Sequence, residues 1–394
     1  MSEGENINGR IVKLTKFIQQ HEIAFIFLFF MIIFNLNFRL ALTSGDTLPA
    51  SLLPFCILER ASLNFDQFSG YIKTIDVNFM FYFKNSHYVS AYPIITPILI
   101  TPLYIIPYVL LKIVNYPIDM LNPGFQVIVA LMEKFSATII TSLASVLLYL
   151  VLKEFCSKKI AFITSCIFAF ATNTWATSSM ALWQHGMVEL LFILMFFLIL
   201  GYEEHSSYKN IIFLGMLSGL FIINRPSDAP LLLPIILYIF LTTRKNVILF
   251  SISGCLICLP FLYYNLINFG NALGGYGNLF SMMVFNPDTY FESFAGLLVS
   301  PQRGLLIFTP ITIIAIFGYF KINIINNNKI KIFLKIAALS TIIQILIYSF
   351  FTDKWQGAVY GPRFLVGILP ILCIFIGLYL ESICRNKNDN ITAL

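Results

Sequence analysis

Charge is what this sequence has least of. Asp, Glu, Lys and Arg make up only 11% of its 394 residues, against roughly 25% in an ordinary soluble domain. So few charges cannot clothe a water-facing globule, which excludes a soluble protein. Histidine and tryptophan are also scarce, at four and three residues. There is no Walker-type phosphate loop, no Gly-rich dinucleotide fingerprint and no Cys/His cluster with metal-ligand spacing. Any reaction must therefore draw on a substrate that arrives already activated. Cysteines number seven, and Cys166, Cys255, Cys258 and Cys373 lie in apolar runs as small core residues. The Cys255-x-x-Cys258 spacing falls mid-helix among Leu, Ile and Pro, a poor setting for a redox or metal pair. No internal repeat is visible, and the one low-complexity tract is Asn-rich, at Asn323–Asn328.

Hydrophobic residues fill this space, at 58% of the chain, with a mean hydropathy of +0.83. The aromatic share is 16%, with 40 Phe, a composition suited to lipid-facing and interfacial surfaces. The expected fold is an all-α polytopic membrane protein of about 10–11 transmembrane helices. It forms one membrane domain over residues 1–394. The net charge of +6 then reports lysines and arginines in loops on one side of the bilayer, and implies no nucleic acid.

Residues 1–21 are polar and carry Arg10, Lys13 and Lys16, which the positive-inside rule places in the cytoplasm. The first span is expected over Glu22–Leu42, with Asn35, Asn37 and Arg39 in its last turns. It runs past signal-peptide length without a small-residue cleavage site, so it is expected to stay as an anchor. Residues 43–92 form a first outer loop. Its mixture of Glu59, Arg60, Phe65, Asp66, Phe68, Tyr71, Lys73, Asp76, Phe79, Phe81 and Tyr82 predicts short amphipathic helices on the membrane surface. The apolar run to Ile113 is interrupted by Pro93, Pro97, Pro102 and Pro107, which argues against a straight spanning helix. It is expected to dip into the bilayer and return, or to lie along the interface. Further spans are expected near Val127–Leu152, Ile160–Thr174, Gln184–Leu200, Ile211–Ile223, Leu231–Leu241, Val247–Ile267, Leu305–Phe320, Ile332–Phe350 and Phe364–Leu380. This leaves a Gly-rich outer loop over residues 268–304 and a cytoplasmic tail over residues 381–394.

Polar clusters sit at span ends on one expected face, the outer one. Asp46, in Thr43-Ser44-Gly45-Asp46-Thr47-Leu48-Pro49, is the first carboxylate after the first span, and a carboxylate at the lip of a membrane cavity is costly. It also suits the N-cap of an outer helix. Trp183-Gln184-His185 opens another span, as a lining for a polar cavity or as an aromatic belt with a structural His. Arg225, Arg303 and Arg363 stand at three Gly- or Pro-marked span ends, with Trp355 and Tyr360 just before the last. Arginine beside a helix N-terminus suits a phosphate, though a lone arginine also snorkels to lipid headgroups.

In the order and shared face of Asp46, the aromatic first outer loop, Trp183-Gln184-His185, Ser300-Pro301-Gln302-Arg303-Gly304-Leu305 and Gly361-Pro362-Arg363-Phe364, the chain resembles the GT-C superfamily of membrane glycosyltransferases. That superfamily includes protein O-mannosyltransferases and lipid A aminoarabinose transferases. The resemblance implies a polyprenyl-phosphate-linked sugar as donor, an acceptor of unknown kind, and an active site on the outer or periplasmic face of the cell (inner) membrane. Asp46 would be the general base. Arg303, Arg363 and Arg225 would hold the donor phosphate, and His185, Gln184, Trp183, Trp355 and Tyr360 would line the cavity. A divalent cation bridging Asp46 and the phosphate is compatible, but no ligand set demands one. The family often pairs two acids in the first loop. Here Thr47 follows Asp46, so a second carboxylate would come from Glu59, Asp66 or Asp76. The competing classes are a transporter or flippase of a lipid-linked or anionic substrate, which also uses arginines and helix N-termini, and an O-antigen polymerase- or ligase-type enzyme.

Overall fold

A computed structural model describes residues 20–38, 40–75, 80–277, 287–350 and 360–392. Arg10, Lys13, Lys16, Arg39, Asp76, Phe79 and Trp355 lie outside the described residues. The architecture is that of a multi-pass α-helical membrane protein. Six helical stretches are long and apolar enough to cross a bilayer: Ile95–Ile113, Pro123–Lys153, Gln184–Glu204, Arg244–Phe269, Asn328–Tyr348 and Arg363–Asn386. Shorter apolar helices accompany them, Glu22–Asn35 and Tyr208–Asn224 among others.

The bundle has two ends, and the long helix α5 (Pro123–Lys153) measures the distance between them. Helix α1 (Glu22–Asn35) packs beside it. At one end the Tyr149 hydroxyl donates to Glu22, and Lys158 donates to Glu22 at 2.9 Å. At the other end the Thr43 N–H donates to Glu133 Oε2 at 3.3 Å. The stretch of α5 from 134 to 153 is about 30 Å long, the thickness of a bilayer's hydrocarbon core. The chain then alternates between the ends through α6 (Lys158–Phe170), α7 (Gln184–Glu204), α8 (Tyr208–Asn224), α9 (Leu233–Thr242), α10 (Val247–Phe269), the interrupted stretch 305–319, α14 (Asn328–Tyr348) and α15 (Leu369–Thr392). The Glu22 end gathers charge. Glu203 takes Lys329 at 3.1 Å, and Glu381 takes Arg385 at 3.0 Å.

The first ten residues of α5 overhang the Glu133 level and carry a separate layer. Helix α2 (Leu48–Arg60) and helix α4 (Ile95–Ile113) run side by side away from the Asp46 end. Phe55 of α2 meets Tyr104 of α4 and Phe125 of α5, each at 5.1 Å between ring centroids. The far ends are tied by Lys112 donating to Glu59 at 2.7 Å. The prolines do not break α4, which is one helix of 19 residues. Pro97 sits in the first turn, where the missing donor has no partner to lose. Pro102 and Pro107 each remove one backbone bond, and between them the fully buried Tyr104 anchors the stretch. Its other side exposes Ile105, Ile106, Val109 and Leu110.

Four further differences from the sequence expectation have local causes. Helix α1 stops at Asn35, where the Asn35 side chain bonds back to Met31 O at 2.7 Å; it does not reach Leu42. The stretch 43–92, expected as an outer loop of surface helices, contains a hairpin, β1 (Phe81–Lys84) paired antiparallel with β2 (His87–Ser90). Asn85 and Ser86 turn it with φ of 49° and 66°, the backbone that two-residue hairpins require. The loop over 268–304 contains helix α11 (Pro287–Val299). The expected span Leu305–Phe320 is interrupted at Thr309-Pro310 into α12 (Leu305–Phe308), a short 3₁₀ turn and α13 (Ile313–Tyr319).

Helix α10 is joined to the bundle through small residues. Gly215 and Gly219 on α8 lie one turn apart and face Gly254 and Phe250 of α10. A Cβ on Gly219 would stand 2.6 Å from Gly254 O, and one on Gly215 would stand 2.3 Å from Phe250 O. Helix backbones in lipid approach this closely only over such residues.

Candidate active site

Residues from seven chain segments meet at the Asp46 end. Asp46 lies in a 3₁₀ turn (Gly45–Thr47) that opens α2. Ser44 caps this turn by accepting the Asp46 N–H at 3.3 Å, which leaves the Asp46 carboxylate for other partners. Its Oδ1 accepts the Tyr92 hydroxyl at 2.7 Å, and its Oδ2 accepts Arg363 Nη1 at 2.8 Å. Burial, and then the Asp46 charge, push the Tyr92 phenol well above its usual range, so it stays a donor.

Arg363 is aimed by the turn before it. Gly361 adopts φ of +70° and packs so closely on Asn173 that a Cβ would meet its Oδ1 at 2.6 Å. The Arg363 guanidinium lies over the Trp183 indole, 4.4 Å from the ring centroid. Stacking on Trp is the strongest form of cation–π contact. Arg363 Nε has no hydrogen-bond partner although it is buried. Trp183 ends an irregular segment and precedes α7, whose N-terminus adds a partial positive charge.

Gln184 and His185 follow Trp183 into the core. The Gln184 Oε1 accepts the Tyr276 hydroxyl at 3.1 Å. Its backbone carbonyl accepts Asn224 at 3.1 Å, and Asn224 in turn accepts Thr96 of α4 at 2.8 Å. Tyr276 packs its ring against Tyr92, centroids 6.5 Å apart. His185 is 1% exposed, and neither ring nitrogen has a partner. The charges of Arg225 and Arg363 both act on it.

Arg225 is buried and committed. Its Nε stands 3.0 Å from Asp228 Oδ2, its Nη2 donates to the Tyr348 hydroxyl at 3.0 Å, and Tyr348 donates to Asp228. Gln344 adds a bond to Asp228 at 3.1 Å. Arg303 is half-buried, and the Arg363 charge reaches it. Burial first, and that charge second, hold its guanidinium below the usual value. Tyr360 stands at the rim, 65% exposed, its ring edge on Phe308 at 4.8 Å.

Asp46, Arg363, Trp183, Gln184, His185 and Arg225 therefore gather at one place, with Arg303 within electrostatic reach and Tyr360 at the edge. Glu59 and Asp66 do not join them. Glu59 pairs with Lys112, and Asp66 accepts the Tyr88 N–H at 2.9 Å. Sequence reasoning missed Tyr92, Tyr276 and Tyr348. It also gave no role to Asp228, whose signal was its place three residues after Arg225. A carboxylate held between a phenol and a guanidinium can take a proton once the guanidinium turns to another anion. Among the described residues no three His, Cys, Asp or Glu form a group that could hold a metal ion. The chain matches no protein-family model, and none of the curated proteins is similar enough to count as a relative.

Proposed function

We propose that the chain is a membrane glycosyltransferase of the GT-C kind, moving a sugar from a polyprenyl-phosphate donor to an acceptor hydroxyl at the outer face of the cell membrane. One observation carries the reading. The Asp46 carboxylate is held between Tyr92 and Arg363 at the end of a membrane bundle. The lysine-rich loops at the Glu22 end support an outward-facing Asp46 end. The bundle then makes ten passes, with α2 and α4 lying at the interface and the exposed apolar side of α4 turned to lipid.

The donor phosphate draws Arg363 away from Asp46, and Arg303 joins it there. The freed Asp46 carboxylate accepts the proton of the acceptor hydroxyl as that oxygen attacks the anomeric carbon. The bond from that carbon to the phosphate oxygen breaks, and the departing lipid phosphate keeps the electron pair against Arg363 and Arg303. One displacement inverts the anomeric centre. Arg225 acts through its ion pair with Asp228, as a fixed part of the wall. A second reading, a lipid flippase, draws on the buried Glu133, Lys134 and Glu189 inside long apolar helices, since such residues often mark transport paths.

Purified protein in nanodiscs, offered a panel of polyprenyl-phosphate sugars, tests the proposal. Wild type is expected to transfer the sugar or slowly hydrolyse the donor. Asp46→Asn is expected to lose roughly 10²–10⁴-fold in rate while keeping its melting temperature. No consumption of any donor, or full activity in Asp46→Asn, would sink it, and lipid flipping by the same samples would favour the second reading.

A further inference from the structure

Two consecutive residues of α5 are buried and charged, where an apolar helix needs neither. Glu133 is 1% exposed and Lys134 is 3% exposed. Between them they reach two segments. The Glu133 Oε2 accepts the N–H of Thr43, three residues before Asp46, at 3.3 Å. The Lys134 ammonium donates to Asn37 at 2.7 Å and to the Ser179 carbonyl at 2.8 Å. The segments also touch directly, Thr43 Oγ1 donating to Met180 O at 3.2 Å.

We propose that Glu133 is a positioning residue that pins the Asp46 turn to the point of α5 where Lys134 and Thr43 hold the Trp183 segment, and so sets the spacing between Asp46 and the Arg363–Trp183 stack. The energetics favour a local role over a general structural one. A buried carboxylate whose Oε1 lacks a hydrogen bond weakens a membrane helix relative to leucine. What it supplies is a rigid link between two irregular segments that share no regular backbone ladder. The link stands on geometry alone; only its effect on catalysis rests on the glycosyltransferase reading.

Hydrogen exchange of the purified full chain in nanodiscs tests the link without any substrate. In wild type the amide of Thr43 is expected to be protected. In Glu133→Gln and Glu133→Leu, residues 43–47 and 179–183 are expected to exchange together, roughly 10-fold faster or more, with the melting temperature held. Glu203→Gln, at the opposite end, should leave both segments unchanged. An unprotected Thr43 amide in wild type, loosening of one segment alone, or global unfolding of both Glu133 variants would overturn the proposal. The last outcome would make Glu133 a folding determinant. Where wild type transfers sugar, Glu133→Gln is expected to lower kcat about 10- to 100-fold with donor KM nearly unchanged, and Glu133→Asp to recover part of it. An inactive wild type with coupled loosening would count against the reaction and leave the link standing.

Discussion

Arg225 shows how one neighbour can take a charge out of ligand duty. Its position at a span end gave it the same expected role as Arg363, yet the fold seals it against Asp228 and Tyr348. Removing one partner of such a pair leaves an uncompensated buried charge. Asp228→Asn is therefore expected to cost about 3–5 kcal/mol, read as a lower melting temperature in detergent, while the double replacement Arg225→Met with Asp228→Leu recovers most of it. Asp46, Trp183, Gln184, His185 and Arg363 were legible because each is a polar or amphipathic residue at the end of an apolar run, where composition changes sharply. Tyr92 and Tyr276 were not, since Tyr276 finds Gln184 across 92 residues of chain and only packing decides such a meeting. Glu133 was hidden for another reason: one carboxylate barely alters the hydropathy of a 31-residue helix.

At the scale of elements, the apolar runs predicted most of the long helices to within a few residues, because length and hydropathy dominate in a membrane; α15 is the exception, running to Thr392 through the stretch expected as a tail. Short elements escaped. The hairpin is turned by Asn85-Ser86 without a glycine, so its strongest sequence signal is missing. Helix α11 was absorbed into a stretch read as Gly-rich loop. Helix α4 went the other way, since its prolines spoke against a continuous helix that its burial against Phe55 maintains. The α8–α10 contact yields a sharp expectation. With only 6% of its apolar window buried, α10 is held chiefly through α8. Gly219→Leu places a side chain where the backbone of Gly254 runs. It should cost about 1–3 kcal/mol or more and loosen α10 specifically, visible as faster proteolysis between residues 243 and 277 while the Asp46 end keeps its protection.

For the whole molecule, the two ends differ in kind. One holds Lys–Glu and Arg–Glu pairs, and the other holds the Asp46–Arg363 pair beside the buried Arg225–Asp228 pair. The proposed orientation makes the difference measurable with a native probe. Cys384 is exposed on α15 beside Arg385. In a Cys255→Ser background, a membrane-impermeant thiol reagent on intact cells should leave Cys384 unlabelled until the membrane is opened, whereas Gln302→Cys should label at once. The reverse order would invert the bundle and move the Asp46 end to the cytoplasm. The overhang of α5 has a consequence of its own. In the proposed orientation, a helix that passes unbroken from bilayer to outer layer ties height to heading. One extra residue between Pro123 and Glu133 would lift the α2–α4 layer by about 1.5 Å and swing it by about 100°. Three or four would lift it by about one turn and return it nearly to its bearing. The altitude of that layer over the lipid is thus quantised, and the chain can change it only in whole turns.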